Sequence, residues 1–168
     1  SKWMKQTLKQ NDLIEQAAQR YRYMRQCVVL GRGFNYATAF EWALKLKELT
    51  YVEAEPYSSA DFQHGPIAMV ERGFPVMVVA PQGKVFASML DLMARLRKDI
   101  LAELLVISNA KKALSLAQVP FTIPAEMPEW LTPLVSILPA QLLAYHLTRA
   151  KGYSTEAPRS IHKVTETK

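Results

Sequence analysis

Glu41, Lys45 and Glu48 stand in the stretch FEWALKLKEL, four and then three residues apart. That spacing stacks the three side chains on one face of a helix. Their neighbours Tyr36, Ala37, Ala39, Phe40, Trp42, Ala43, Leu44, Leu46 and Leu49 are apolar, and only Lys47 breaks the pattern. A helix that is apolar almost all round is expected to be buried. Buried charges are costly unless paired or used. The stripe is therefore either a paired structural network or the wall of an active site, where a carboxylate moves protons. His64, in Asp61-Phe62-Gln63-His64-Gly65-Pro66, is a second proton-transfer group, because imidazole titrates near neutral pH. The Gly65-Pro66 turn beside it fixes the backbone, although a loop histidine also serves structure alone. Lys163 follows Pro158-Arg159-Ser160-Ile161-His162. By itself it reads as a solvated tail lysine.

The remaining reactive side chains have plainer readings. His146 lies in the apolar run Leu142 to Leu147 and is expected to be packed. His162 carries no signal. The three histidines lack metal-ligand spacing, so no metal is expected. Cys27 opens an apolar run and reads as a buried core thiol.

Composition narrows the classes. A chain of 168 residues, 49% hydrophobic and 21% charged, fits one soluble domain with one core. The net charge of +6 is mild and dispersed. It suits a small anionic ligand such as a sugar phosphate, and no aromatic–basic array points to nucleic acid. One cysteine excludes an internal disulfide framework and fits a reducing, cytoplasmic setting. No run of eighteen apolar residues and no signal-peptide pattern points to a membrane. Ser1 in place of an initiator Met points to a processed chain or a fragment.

The elements that must position these residues read as follows. Residues 4–25 carry a helical period. Cys27 to Leu30 is a buried strand ending in the Gly31-Arg32-Gly33 turn, where a plain tight turn is favoured over a dinucleotide fingerprint because Tyr36 replaces the third glycine. The Glu-Lys-Glu helix covers 35–51, and a loop with Pro56, Ser58, Ser59, Gly65 and Pro66 follows. Strands are expected at 76–80, 104–107 and 119–123, and helices at 84–98, 110–117 and 129–151. Pro139 is expected to kink the last helix and Gly152 to cap it. The tail, 153–168, is expected to be extended. Short apolar strands joined by long crossovers predict a three-layer α/β/α sandwich with a parallel sheet of four or five strands. Ligands of such sheets gather at the carboxyl ends of the strands.

Four stretches together resemble the sugar isomerase (SIS) domain family. They are LGRGFNYATAFEWALKLKELTYVEAEPYSSADFQHGPIAMV, PVMVVAP, LPAQLLAYH and APRSIHKVTETK, and they span residues 30 to 168. The likeness is to the C-terminal SIS half of glucosamine-6-phosphate synthase and its deaminase relatives. It implies a single SIS domain over 1–168, with 152–168 an active-site tail. It implies that Glu48 moves a proton between sugar C1 and C2, that His64 opens the sugar ring from a neighbouring subunit, and that Lys163 closes over the sugar. Lys45 and Glu41 would be the supporting pair. The implied substrate is a hexose 6-phosphate of the glucosamine 6-phosphate or fructose 6-phosphate type, with no cofactor. The implied partners are a second SIS half and a second copy of the chain.

Two departures qualify the resemblance. The family's preceding half carries a Ser/Thr-rich phosphate loop, and nothing of that kind stands here. The ending KVTETK, with no N-terminal cysteine glutaminase region, is closer to the deaminase and isomerase relatives than to the synthase. The isomerase domain of a glutamine-dependent synthase and a non-catalytic phosphosugar-binding regulator are the alternatives. Glu48, His64 and Lys163 together argue against the regulator, because a sensor needs no proton-transfer set.

Overall fold

A computed structural model describes residues 2–159. Five strands form one parallel sheet: β1 (Gln26–Gly31), β2 (Glu53–Ser58), β3 (Pro75–Val79), β4 (Glu103–Ser108) and β5 (Val119–Thr122), in the order β2-β1-β3-β4-β5. Helices α1 (Lys2–Leu8), α2 (Asn11–Arg20), α3 (Tyr36–Thr50) and α7 (Pro133–Ala150) cover one face. The short α4 (Ser59–Phe62), α5 (Phe86–Arg95) and α6 (Lys111–Leu114) cover the other. This is the expected three-layer sandwich.

The apolar runs of the strands follow from that double cover. Cys27, Val29, Met77, Val79, Leu105 and Ile107 enter the core under α2, α3 and α7. Their neighbours Val28, Leu30, Val76, Val78, Leu104 and Val106 enter the core under α5 and α6. Cys27 is buried as expected, and burial, with the charge of Glu55 adding to it, pushes its thiol up to about 12. His146 is packed too. Its Nε2 lies 2.9 Å from Asn11 Oδ1.

The fifth strand is the main addition. Residues 53–58 read as loop but form β2 at the sheet edge, paired to β1 with Val29 opposite Pro56. Only one side of β2 needs to pair, so Pro56, which has no N–H, is tolerated, and Glu53 and Glu55 face water. The expected helix over 4–25 is two helices, broken at Lys9–Gln10. There the Gln10 side chain leaves the helical path to bond both ways with the backbone of Thr122, at 2.6 and 2.8 Å. The helix at 84–98 is α5 followed by a π-helical turn, Leu96–Ile100. The last helix runs on through Pro139. Gly152 ends it at φ 77°, with the Tyr153 N–H bonded to the Thr148 carbonyl at 3.0 Å. The segment around α7 is long and apolar enough to cross a membrane by length and composition, but it packs against α2 and α3 as a core helix.

The start of α3 is fixed from two directions. A side chain at Gly31 would run into the Asn35 carbonyl oxygen, so only glycine lets the helix begin this close to β1. Asn35 Nδ2 also donates to Thr132 Oγ1 at 2.7 Å, and Thr38 Oγ1 donates to Asn35 Oδ1 at 3.2 Å, tying α3 to the start of α7.

Candidate active site

Helix α3 buries Thr38, Ala39, Trp42, Ala43, Leu46 and Thr50, one stripe facing the sheet and α7. The expectation of a helix buried all round is corrected here. Phe40 and Leu44 point outward, 50% and 42% exposed, because no element among the described residues covers that side. Glu41, Lys45 and Glu48 lie between the two stripes, with side chains 37%, 32% and 33% exposed. Lys45 Nζ donates to Glu48 Oε2 at 2.7 Å and lies 3.9 Å from Glu41 Oε1. The Glu48 hydrogen bond and the two carboxylate charges raise the Lys45 ammonium above its ordinary pKa, against a smaller opposing effect of burial. Lys45 therefore stays charged through neutral pH and orients Glu48. The stripe is both paired and accessible. Partial exposure removes the desolvation argument for a purely structural network and leaves a carboxylate a ligand can reach.

A groove runs beside this face, lined by Gly33, Phe34, Tyr36, Phe40, Leu44 and Pro56. Tyr36 meets Phe40 edge-on, with ring centroids 4.9 Å apart. Phe34, 55% exposed, extends the same apolar surface. Phe34, Phe40 and Leu44 thus leave three large apolar side chains exposed on one helix and its entry turn.

His64 lies elsewhere. The chain passes from α3 into β2 and then into α4, so His64 stands beyond the carboxyl end of β2. Glu48 stands in the last turn of α3, at the opposite edge of the sheet. Among the described residues no hydrogen bond or ion pair joins His64 to Glu48, and the two lie on elements packed against opposite faces of the sheet. The His64 turn is well defined. Its N–H donates to the Asp61 carbonyl at 3.1 Å, and Ser58 Oγ caps α4 by accepting from Ala60 N at 3.3 Å. The imidazole is exposed and has no hydrogen-bond partner among the described residues. Lys163 lies outside the described residues, as does the tail beyond Arg159.

The carboxyl edge of the sheet has its own loops at the switch point between β1 and β3, the usual ligand position in such sheets. Here they are already occupied. Arg32 Nη1 donates to Ser88 Oγ at 3.0 Å. The Gln82 N–H donates to Asn109 Oδ1 at 2.7 Å, and the Lys84 N–H donates to both carboxylate oxygens of Glu129 at 3.2 Å. Glu129 lies so close over Gly83 that a side chain there would run into it. Backbone donors that would suit a phosphate are thus taken by side chains of this chain. Nothing in the sequence links Glu129 to residue 84, forty-five positions away, so this contact was not legible there. Among the described residues no three His, Cys, Asp or Glu side chains gather as metal ligands.

Comparisons with known proteins agree with this geometry. Residues 21–150 match the model of the SIS domain. The glutamine–fructose-6-phosphate aminotransferase (isomerizing) of Pyrococcus horikoshii is 39% identical over 159 residues, which cover 94% of this chain and 26% of that protein. The chain thus spans about a quarter of the length of the curated relatives it matches. The C-terminal domain of glucosamine-fructose-6-phosphate aminotransferase from Francisella tularensis superposes with a TM-score of 0.80 at 28% identity, covering 90% of this chain and 43% of that one. Tagatose-6-phosphate ketose/aldose isomerase from Escherichia coli superposes with a TM-score of 0.67 at 26% identity, covering 77% and 36%. Sheet order, the α3 motif and these matches lead to one assignment: this chain belongs to the SIS domain family.

Proposed function

We propose that this chain supplies the proton-transfer wall of a phosphosugar isomerase acting on hexose 6-phosphates of the glucosamine 6-phosphate or fructose 6-phosphate type. The observation that carries the reading is the reachable Glu48 carboxylate held by Lys45 at 2.7 Å. In the proposed step, Glu48 removes the proton from the carbon next to the carbonyl. The resulting enediol collapses as the proton is returned to the other of C1 and C2. One base serves both carbons because they are adjacent. His64, reaching the sugar from a second copy of the chain, moves the proton that opens the ring. Lys163 supplies the cation that offsets the developing negative charge on oxygen. No organic cofactor or metal takes part.

The phosphate grip and the cover over α3 come from another polypeptide. The switch-point donors of this chain are engaged by Asn109 and Glu129, and Phe34, Phe40 and Leu44 are uncovered. A second SIS half, in the same or another chain, meets both needs, and a homodimer brings His64 to Glu48. The setting is the cytoplasm, without membrane or nucleic acid. The nitrogen chemistry divides the reading. The relatives named aminotransferases favour a glutamine-dependent synthase, whereas the KVTETK ending favours an aminosugar-phosphate deaminase. Both share the C1–C2 step.

The test is turnover of fructose 6-phosphate and glucosamine 6-phosphate by the 168-residue chain, alone and with a second SIS half supplied. Activity is expected only in the second case. Efficient turnover by the chain alone would place the phosphate site within it and overturn the division of labour.

A further inference from the structure

The amino edge of the sheet carries a groove that the proton-transfer step does not use. It has a volume of about 1020 Å³ and lies where Gln26 and Glu53 begin β1 and β2, between the turn after α2 and the ends of α3 and α7. Glu41, Lys45, Glu48 and His64 do not line it. Its charge is one-sided, with Arg22, Arg25 and Lys151 set against a single carboxylate, Glu53. Among the described residues none of these four side chains makes an ion pair. Lys151 is held in place, since its Nζ donates to the carbonyls of Arg22 and Met24 at 3.1 and 2.6 Å. An ammonium has three N–H groups, so one remains for a ligand. Burial first, and then the charge of Arg25, pull this ammonium below its ordinary pKa, and no carboxylate acts against them. The Arg159 guanidinium lies 4.4 Å from the Tyr51 centroid and 5.3 Å from that of Tyr153, two rings that also line the groove, and adds a fourth positive charge beside it. Exposed arginines standing singly are solvated. Here they share a concave surface with a lysine fixed by the backbone, and the like charges repel one another.

We propose that this groove binds a small anion carrying two or more phosphate groups, held by Arg22, Arg25 and Lys151. Two guanidinium forks suit paired phosphate oxygens, and the lysine supplies a fixed point charge between them and the end of α7. Ligand sites of roughly 300–1,000 Å³ hold whole small molecules, so the groove has room for more than one phosphate group. A bound polyanion offsets the repulsion among the cations, which water alone only screens. The site stands at the amino edge of the sheet, away from the switch point, and does not rest on the function proposed above.

The test is titration of the 168-residue chain with inorganic diphosphate at low ionic strength, followed by calorimetry and by backbone amide NMR shifts. Saturable one-to-one binding is expected, with the largest shifts around Arg25, Tyr51 and Lys151, and weaker binding of inorganic phosphate. Arg22→Gln and Arg25→Gln should each raise Kd about tenfold or more, the scale of one lost charge-assisted hydrogen bond. Both residues are exposed, so these variants should fold. Glu53→Gln removes the carboxylate of the groove and should tighten binding about two- to fivefold, the scale of one exposed charge–charge interaction. Lys5→Gln removes the same charge from the lysine face of α1 and should leave Kd unchanged. Fructose 1,6-bisphosphate carries the same chemistry in an ester. Tighter binding of the ester would support an organic bisphosphate as the occupant, and tighter binding of diphosphate would support the inorganic anion. Absence of saturable binding would overturn the site. So would a loss in Lys5→Gln as large as in Arg25→Gln, which would reduce the binding to net charge.

Discussion

Replacing Glu48 by Gln in a protein carrying both SIS halves separates the structural reading of the α3 stripe from the catalytic one. The substitution keeps shape and removes charge. Its structural cost follows from geometry. The Lys45–Glu48 pair spans 2.7 Å at i,i+3 spacing, with both side chains about one-third exposed. Such pairs contribute about 0.3–0.5 kcal/mol, roughly a factor of two in the folding equilibrium. Glu41, 3.9 Å from Lys45, keeps part of that attraction. The urea midpoint should therefore move by no more than about 0.5 M. Loss of a general base removes about two to four orders of magnitude in rate, or about 2.7–5.4 kcal/mol of barrier. Activity should thus fall by many times what the fold loses. The assay is exchange of the sugar C1 or C2 hydrogen with solvent deuterium, followed by NMR, with a urea melt on the same sample. Turnover within about fivefold of wild type, or a rate loss matched by an equal loss of stability, would refute a catalytic Glu48.

Two further expectations concern the fold that holds the helix. Cys27 should resist alkylation at pH 8 in the folded chain and react once it is unfolded in urea, because its thiol is buried and pushed up to about 12. An unfolded thiol ionises near 9, so the folded state binds the extra proton between those values. Stability from this group is intact below pH 9 and declines as pH rises toward 12, readable as a falling melting temperature. Gly31→Ala should destabilise by about 1–3 kcal/mol, since its methyl group meets the Asn35 carbonyl and forces the start of α3 away from β1. An unchanged urea midpoint would show that α3 yields freely there.

Central strands were readable because burial on both faces leaves unbroken apolar runs such as Val76–Val79, which no exposed element tolerates. Strand β2 escaped because half of it faces water and its Pro56 mimics a loop residue, which only edge position allows. The Glu41–Lys45–Glu48 stripe was legible from spacing, but its exposure was not. Phe40 and Leu44 read as core, and a sequence does not tell a side chain covered by its own fold from one left exposed. Contacts closed by long loops, Glu129 to Lys84 and Arg159 to Tyr51, left no local signature. They join residues whose neighbourhood exists only once the sheet has formed.

The central claim is that Glu48 of one copy works with His64 of another, because the two lie on elements packed against opposite faces of the sheet within one chain. Mixing full-length Glu48→Gln with full-length His64→Ala and allowing subunits to exchange tests this most directly. Half of the dimers formed are mixed, and each mixed dimer holds one site with both native residues. Two nearly inactive parents should therefore recover about one quarter of wild-type turnover. A mixture that stays at the level of its parents after exchange has been verified would contradict the shared site and place both residues in one subunit's chemistry or outside it.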